Sequence, residues 1–559
     1  MKRFLSCLAL FTLSQLHAAE PAIVPPTTGP RLAVVISIDQ CRADYLQRFR
    51  PYFVEGGFRR LLEQGDVYAD AHHRHALTAT APGHATLLTG VSANLHGIIA
   101  NDWFDVAAGR KMNGVEDAEA PLVGSVPQTV AMPGGGADAE FSGSPRRLLA
   151  ATVGDQIKLR FGASSRVISV ANKDRAAIFM GGRLGDAAYW IVDGRAVTSR
   201  YYREALPDWV VAFNNENLVN AAFGHTWDRL LDISIYNAIQ GPDDAPGEEG
   251  RLGLGRTFPR RVDGGSAQIG PAFYNAYRLD PHGSGVLGQL VQRAVVNEKL
   301  GHHDTPDLLC VGFSQIDYAG HSYGPDSHEV MDSFLRLDRV IAELLTFLDR
   351  EVGEKKYVLV LSADHGAAPL PERTQAFARG VVAGRLDGPG LDRQVEAALT
   401  TAFGAPANGA AWALRDGYGY RLIASSLANR SIDGSAAQLV VKATLLKSSQ
   451  IGVAYTRDEL TGRVPATGPF LEDWRLSFNA ERSPDVMFSP SPYVVDRTPA
   501  GTNHGTPYDY DKHVPLIWFG AGINAAVHTQ RIGTDSIAPT LSALLGVPAP
   551  PLARGARLF

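Results

Sequence analysis

The stretch LAVVISI, residues Leu32 to Ile38, decides the fold, and Asp39 follows it at once. The run is continuously apolar apart from Ser37, and it is rich in β-branched side chains. A strand with one solvated face would alternate apolar and polar residues, so a continuous run predicts a strand that is buried on both faces. Strands of this kind occur mainly in parallel sheets covered by helices.

The same pattern returns along the chain, at residues 167–171, 308–313, 357–361 and 515–519. Helical patterns lie between these runs. The clearest places Val330, Phe334, Leu337, Ile341, Leu344 and Leu348 on one face. Asp326 and Glu329 predict a capping box at its start, and the last helix is predicted from about Thr534 to Gly546. The alternation predicts an α/β fold whose mostly parallel sheet carries helices on both faces.

Two regions interrupt the alternation of strands and helices. Residues 201–280 are rich in Gly, Pro, Asn and aromatics, and residues 369–484 mix weaker helical and strand patterns. We interpret both as insertions that form a cap over the carboxyl edge of the sheet. The α/β catalytic core would then comprise residues 31–200, 281–368 and 485–559.

Length and charge narrow the range of functions. With 559 residues, 45% of them hydrophobic, the chain can bury a large core. Lys and Arg number 53 against 58 Asp and Glu, which gives a net charge of −5, and no long basic block occurs. Binding of nucleic acid through a charged face is therefore not expected. A phosphate site in such a chain would need cations of its own.

The N-terminus is typical of an export signal. Lys2 and Arg3 precede a short apolar run, and Ala18 and Ala19 offer a cleavage site, so we assign residues 1–19 to a signal peptide. Residues 20–30 are rich in Pro and Thr and form a tether. A membrane anchor is the alternative, but the apolar run is too short to span a bilayer and no stop-transfer pattern follows. We expect a periplasmic or secreted protein with no membrane attachment after cleavage.

Two cysteines remain after the signal is removed, Cys41 and Cys310. They rule out a disulfide-rich scaffold and a zinc site built from cysteines. Each adjoins a predicted strand, and a disulfide between them and two separate buried thiols both remain open.

Polar side chains stand out just after the buried strands, at the edge where open α/β sheets bind ligands. Asp39 ends the first strand, and Asp317 and His321 follow the strand at residues 308–313. Asp364 and His365 end the next. Singly, each could be a helix cap or a solvated loop residue. Together, imidazoles and carboxylates at one sheet edge are best explained by a metal site.

A second signal is the segment TAPGH, residues 80–84. Pro82 suits a first helical turn, which would place Thr80 at a helix N-terminus, where free N–H groups favour an anion. Thr80 could be an ordinary N-cap, but a hydroxyl there can also act as a nucleophile when a metal lowers its pKa.

These motifs, taken in order, resemble the alkaline phosphatase superfamily. They are TAPGH, Asn101 in GIIANDW at residues 97–103, the pair Asp317 and His321, the pair Asp364 and His365, and GTNHG at residues 501–505. Within the superfamily the chain resembles the PafA-type, phosphate-irrepressible alkaline phosphatases, which share their metal site with the nucleotide pyrophosphatase/phosphodiesterases. Gly83 stands where the diesterases usually carry Asn.

The resemblance implies two zinc ions and a role for each motif residue. Asp317, His321 and His504 would hold one ion. Asp39, Asp364 and His365 would hold the second, with Thr80 as its fourth ligand. Thr80 would attack phosphorus and form a phosphothreonine, and the amide of Asn101 would donate to a nonbridging oxygen.

The resemblance also distinguishes monoesters from diesters through Lys173 and Arg175. They follow the predicted strand at residues 167–171, so both should reach the carboxyl edge of the sheet. A monoester dianion carries extra charge that these two cations can contact. By spacing alone the pair could be a solvated turn, but in the PafA-type enzymes a Lys-x-Arg pair has this task.

We therefore expect a zinc-dependent alkaline phosphatase that acts on small phosphate monoesters, with secondary activity on diesters, and that is a monomer. The nearest alternative is a phosphodiesterase or nucleotide pyrophosphatase with the same metals. A catalytically inactive metal-binding protein is the alternative from another class. His72, His73 and His75 precede the TAPGH motif, and we do not expect them to bind metal, because the family pattern omits them.

Overall fold

A computed structural model describes residues 29–124, 142–378 and 380–559. Its largest element is a sheet of ten strands, and the predicted signal peptide lies outside the described residues. The strands are β1 (Leu32–Ile38), β2 (Asp66–Tyr68), β3 (Leu122–Val123), β4 (Val167–Ala171), β5 (Ala187–Val192), β6 (Arg195–Ser199), β7 (Asp307–Phe313), β8 (Tyr357–Ser362), β9 (Ile517–Gly520) and β10 (Ala526–His528). Their order across the sheet is β10-β2-β9-β8-β1-β7-β4-β5-β6-β3.

The centre of the sheet is parallel. Strands β8, β1, β7, β4 and β5 run in one direction, and β1 pairs with β7 on one side and β8 on the other. Four of the five predicted runs fall in this parallel centre. Because these strands all end at the same edge, the residues that follow them are brought together there.

Helices cover both faces, as predicted. The main ones are α1 (Thr80–Thr89), α2 (Val153–Phe161), α3 (Asp174–Gly181), α4 (His282–Asn297), α5 (Gln315–Tyr323), α6 (His328–Leu348) and α7 (Ile537–Leu544). Alternate side chains of β1 enter two different cores. Leu32, Val34 and Ile36 pack with α4, α5 and α6, whereas Ala33 and Val35 pack with α1, α2, α3 and α7.

Two local predictions were wrong. The last predicted strand begins at Ile517 instead of Pro515, and it runs antiparallel to β8. An apolar run reports burial but carries no information on strand direction. The cap of α6 is Ser327, whose side chain accepts the N–H of Val330. Glu329 does not form a capping box, because it is fully buried and paired with Arg260.

Residues beyond the large sheet form smaller units. A four-stranded antiparallel sheet comprises Ala413–Arg415, Gly419–Leu422, Val486–Pro490 and Ile451–Thr456, in that order. It has its own hydrophobic core, which includes Trp412 and Trp474. By contrast, apolar residues between 210 and 277 pack into the same core as α4 and α6. The division into catalytic core and cap insertions stays a prediction.

The remaining strands form small sheets: His225–Trp227 with Arg260–Val262, Asp102–Asp105 with Arg110–Asn113, Gly384–Arg385 with Val494–Val495, and Ala71–His72 with His513–Val514 and Ile532–Gly533. The remaining α-helices are Tyr45–Arg48, Phe58–Gln64, Ala93–His96, Asp208–Asn215, Leu218–Ala221, Ile233–Gln240, Pro271–Tyr277, Pro371–Phe377, Gly388–Phe403, Ala424–Ala428, Gly434–Leu445, Arg457–Leu460, Leu471–Ser477 and Asp509–Lys512. Cys41 and Cys310 are separate buried thiols. Within the described residues, none of the helices has the length and apolar character needed to cross a membrane.

Candidate active site

The predicted site residues converge at the carboxyl edge of the parallel strands. Asp39 follows β1, and its N–H donates to the carbonyl of Phe313 at the end of β7. Lys173 follows β4 by two residues, Asp317 and His321 lie on α5 after β7, and Asp364 and His365 follow β8. His504 lies on the loop before the helix Asp509–Lys512. Except for His321, which is half-buried, these side chains are almost fully buried.

Asp317, His321 and His504, the three residues that the resemblance assigns to one ion, form one cluster of possible metal ligands. Asp317 and His321 are four residues apart on α5, so they lie on one face of the helix, with Nε2 of His321 3.3 Å from Oδ1 of Asp317. His504 Nε2 lies 3.9 Å from the same oxygen.

Asp39, His365 and Asp317 form an adjoining cluster. His365 Nε2 lies 3.5 Å from Oδ1 of Asp39 and 3.4 Å from Oδ2 of Asp364. The structure thus brings together Asp39, Asp317, Asp364 and His365. The group of three whose ligand atoms all lie within 4.8 Å of one another contains Asp317 instead of Asp364. The assignment of each side chain to a particular ion stays a prediction.

The hydrogen bonds of the imidazoles test whether a metal fits. Nδ1 of His321 lies 2.9 Å from the carbonyl of Thr502, Nδ1 of His504 lies 2.7 Å from that of Thr78, and Nδ1 of His365 lies 2.9 Å from that of Gly366. A carbonyl only accepts, so each Nδ1 carries the proton. In a neutral ring, Nε2 then presents a lone pair.

These lone pairs face carboxylate oxygens, which is repulsive unless a cation lies between them. Nε2 of His365, Oδ1 of Asp39 and Oδ2 of Asp364 are buried, and none of the three has a hydrogen-bond partner among the described residues. A buried polar atom without a partner is costly, and metal coordination is the common remedy. A histidine that binds a metal through one ring nitrogen usually donates the N–H of the other to an acceptor, which fixes the orientation of the ring. The residues present therefore fit a metal centre.

The pKa shifts agree with this conclusion. Burial, and then repulsion by His321, lowers the pKa of His504 to about 4. Burial, and then His504, lowers the pKa of His365 well below its ordinary value, so both rings are neutral near pH 7. Burial, and then the charge of Asp39, raises the pKa of Asp364. A nearby cation would relieve this repulsion between carboxylates.

Thr80 is the first residue of α1 and is almost fully buried. It lines a cavity of about 430 Å³ together with Asn101, Lys173, Arg175, Asp317, His321 and His504. The carbonyl of Thr80 lies 2.8 Å from Nδ1 of His84, whose ring also lies 3.3 Å from Oδ2 of Asp364. His84 therefore links the start of α1 to the residues after β8.

Asn101 is held by the N-terminus of α1. Its Oδ1 accepts the N–H of Ala81 at 2.8 Å. Because a backbone N–H needs an acceptor, this bond assigns Oδ1 to the helix side and leaves the NH₂ group as the donor available to the cavity.

Lys173 and Arg175 both line the cavity. The ammonium of Lys173 lies 2.7 Å from Oδ2 of Asp39 and also pairs with Asp317. Burial alone would lower its pKa, but Asp317 and Asp39 outweigh burial and raise the pKa, so the lysine is charged. Arg175 lies in the first turn of α3, and its buried Nε has no hydrogen-bond partner within residues 29–124, 142–378 and 380–559.

Sequence patterns missed Gln40, which connects two clusters. Its Nε2 donates to Oδ1 of Asp317 at 2.7 Å, and its N–H donates to Oδ1 of Asp364 at 3.1 Å. Gln40 has a φ of 63°, a left-handed conformation that is unusual for this residue type. Its position directly after Asp39 was the only sequence signal.

A further cluster lies outside this cavity. Asp70, His72 and His513 bring possible ligand atoms together, although no sequence pattern had paired His72 with His513. The two residues are partners across neighbouring strands, and their rings stack with centroids 4.5 Å apart.

The chain is similar to known proteins both in sequence and in fold. The profile of the family described as "Type I phosphodiesterase / nucleotide pyrophosphatase" matches residues 33–494. Alkaline phosphatase PafA of Elizabethkingia meningoseptica is 33% identical over 527 residues, 93% of this chain and 92% of the relative. Alkaline phosphatase PhoV of Synechococcus elongatus is 31% identical over 546 residues, 95% of this chain and 93% of the relative. The crystal structure of wild-type alkaline phosphatase PafA superposes with a TM-score of 0.87 at 31% identity, covering 95% of this chain and 99% of the other.

The chain therefore belongs to the type I phosphodiesterase/nucleotide pyrophosphatase family, within the alkaline phosphatase superfamily. Among its members it is an alkaline phosphatase of the PafA type, a hydrolase of phosphate monoesters. The family resemblance and the enzyme class predicted from the motifs are confirmed.

Proposed function

We propose that this enzyme hydrolyses phosphate monoesters with two zinc ions and a phosphothreonine intermediate on Thr80. The observation that carries the proposal is the common orientation of His321, His365 and His504. Each ring is fixed through Nδ1 by a backbone carbonyl, and each Nε2 faces buried carboxylates. Imidazole and carboxylate donors of this kind suit zinc.

Asp317, His321 and His504 would hold one ion, and Asp39, Asp364, His365 and Thr80 the other. Bound there, zinc would lower the pKa of hydroxyl and water nucleophiles. It would also neutralise charge on the transferring phosphoryl group. Thr80 begins α1 and lines the cavity, which supports its role as the nucleophile.

The remaining polar groups would position the phosphoryl group. The NH₂ group of Asn101 would donate to one nonbridging oxygen. Lys173 and Arg175 would contact the others, Arg175 with two parallel N–H donors. Such groups act by positioning and by stabilising charge that is already arranged in the site.

The first test is the Thr80→Ala variant. We expect kcat of the zinc-saturated variant to fall by at least about a thousandfold, because the nucleophile is removed. Thr80→Ser, which keeps a hydroxyl, should retain measurable turnover. Full turnover by Thr80→Ala would overturn the proposed mechanism.

The second candidate function is a phosphodiesterase with the same metal site, which the family profile favours. The discriminating measurement is kcat/KM of zinc-loaded enzyme on p-nitrophenyl phosphate and on bis-p-nitrophenyl phosphate. We expect preference for the monoester, with minor diester activity. The double variant Lys173→Ala, Arg175→Ala should lose far more activity on the monoester than on the diester.

Arg200→Ala is a matched control for loss of positive charge, since Arg200 is exposed and outside the cavity. A wild-type preference for the diester would move the enzyme to the phosphodiesterase branch. Equal losses of activity on both substrates would show that Lys173 and Arg175 have no special role in binding a monoester.

We also propose that the chain is exported through its N-terminal signal and works as a periplasmic or secreted monomer on small phosphate esters. The sequence of residues 1–19 supports export. N-terminal sequencing of protein recovered from the periplasm or medium should find a start near residue 20.

A further inference from the structure

Two arginines and one glutamate lie at a separate part of the cavity wall. Glu249 is 4% exposed. Its Oε1 lies 2.5 Å from Arg251 and its Oε2 lies 2.9 Å from Arg497. All three residues line the cavity that contains Thr80 and His321. We name Arg251 and Arg497 the arginine pair.

The arginine pair is fixed beside His321. The N–H of Glu249 donates to the carbonyl of Ser322, the residue after His321, at 2.8 Å. The N–H of Gly501 donates to the carbonyl of Gly247 at 2.8 Å, which joins this segment to the loop that carries His504. The pair therefore adjoins the cluster of Asp317, His321 and His504, whereas Lys173 and Arg175 follow β4. The family resemblance implies that the ion held by this cluster steadies the leaving oxygen.

The charges of this group do not cancel. Two guanidinium groups share one carboxylate, so the group carries a net charge of +1. Nε of Arg497 is buried and has no hydrogen-bond partner in the part of the chain that the structure describes. The Arg251 side chain is 57% exposed, so its fork can turn toward a ligand. A guanidinium fork matches the oxygens of a phosphate with parallel N–H donors.

We propose that the arginine pair is a subsite for a second phosphate group, carried by the alcohol that leaves. The preferred substrates would be phosphate monoesters whose alcohol bears another phosphate a few bonds away. Glu249 is then a positioning residue, because it orients both arginines and lowers their net charge. This inference rests on the proposed function, since it needs the reacting phosphate to lie at Thr80.

The test compares two substrates that differ only in the second phosphate: propane-1,3-diol monophosphate and propane-1,3-diol bisphosphate. In Arg251→Gln we expect kcat/KM for the bisphosphate to fall about tenfold, mainly through KM, because a charged contact is lost. The value for the monophosphate should stay within about twofold. Arg251→Lys keeps the charge but loses the fork, and it should recover part of the loss.

Arg256→Gln is the matched control. Arg256 lies on the same loop and is 42% exposed, but it pairs with Asp244 and does not line the cavity. It should leave both substrates unaffected. If Arg251→Gln lowers both substrates equally, or neither, the subsite is wrong while the phosphatase proposal stands. If wild-type enzyme hydrolyses neither ester, the proposed function itself fails.

Discussion

The side chain of Asn101 has two ends, one that bonds to the backbone and one that is proposed to bind the substrate. Its Oδ1 accepts the N–H of Ala81, so only its NH₂ group is available to a substrate. Asn101→Asp keeps an acceptor for Ala81 but replaces the donor with a negative oxygen. Asn101→Ala removes both. Kinetics of the two variants can therefore separate the structural role from the proposed role in binding phosphate.

We expect Asn101→Asp to lower kcat/KM more than Asn101→Ala, by roughly tenfold or more, because the carboxylate would repel the phosphate. The measurement is kcat/KM on p-nitrophenyl phosphate, with circular dichroism as the control for folding. A better-preserved activity in Asn101→Asp would show that the bond to Ala81 matters more than donation to the substrate.

At the scale of elements, α1 and the end of β8 approach each other unusually closely. A Cβ atom on Gly83 would lie 2.2 Å from the carbonyl oxygen of Asp364 and 2.7 Å from its Cα. Both are backbone atoms, so they cannot move aside as a flexible side chain could. Glycine at this position thus allows the helix that carries Thr80 to pack directly against Asp364.

Gly83→Ala should separate α1 from Asp364 and lower kcat/KM by about a hundredfold or more, because small displacements of reacting groups cost large factors in rate. Gly285→Ala is the control. Gly285 lies in α4, and a Cβ atom at this position would have open space around it, with no neighbour among the described residues within 4 Å. Alanine there should stabilise the protein by up to about 1 kcal/mol. Unchanged kinetics in Gly83→Ala would contradict the close approach.

Elements with strong hydrophobic patterns were predictable from the sequence. Buried runs located β1, β4, β7 and β8, since a continuous apolar run in this setting has one common explanation. The direction of β9 was not predictable, because burial is the same in either direction. The cap of α6 was misplaced because Glu329 satisfies the pattern of a capping box but is used in a buried ion pair with Arg260.

The site was predictable only in part. Side chains such as Thr80 and His504 stand in motifs, but the carbonyls that orient the histidines belong to every residue and leave no pattern. Gln40 and Arg497 were missed for another reason: their partners lie far away in the chain, and no spacing rule connects Glu249 with Arg497.

For the whole molecule, buried histidines make stability depend on pH. His96 is fully buried, and burial lowers its pKa to about 3. Its Nδ1 accepts the N–H of Ile98 at 3.1 Å, so the neutral ring is required. Burial also lowers the pKa of His73 to about 3. In the unfolded chain each histidine has a pKa of about 6.5.

As the pH falls from about 6.5 toward 3, the unfolded chain therefore binds protons that the native protein does not, and stability decreases. Each such histidine costs on the order of 2 kcal/mol between about pH 7 and about pH 5. Urea unfolding of His96→Asn should show a smaller loss over this range than the wild type. His302→Asn, at a half-exposed histidine, should lose as much as the wild type.

The three histidines of the proposed metal centre take their orientation from main-chain oxygens, those of Thr78, Gly366 and Thr502. A point mutation can replace a side chain, but it cannot delete a carbonyl. Most point mutations therefore leave these hydrogen-bond acceptors in place, and substitutions at these three positions need not change the orientation of the histidines. Proteins that share this scaffold can therefore change the surrounding loops, and with them the substrate, because the backbone itself keeps the histidines in position.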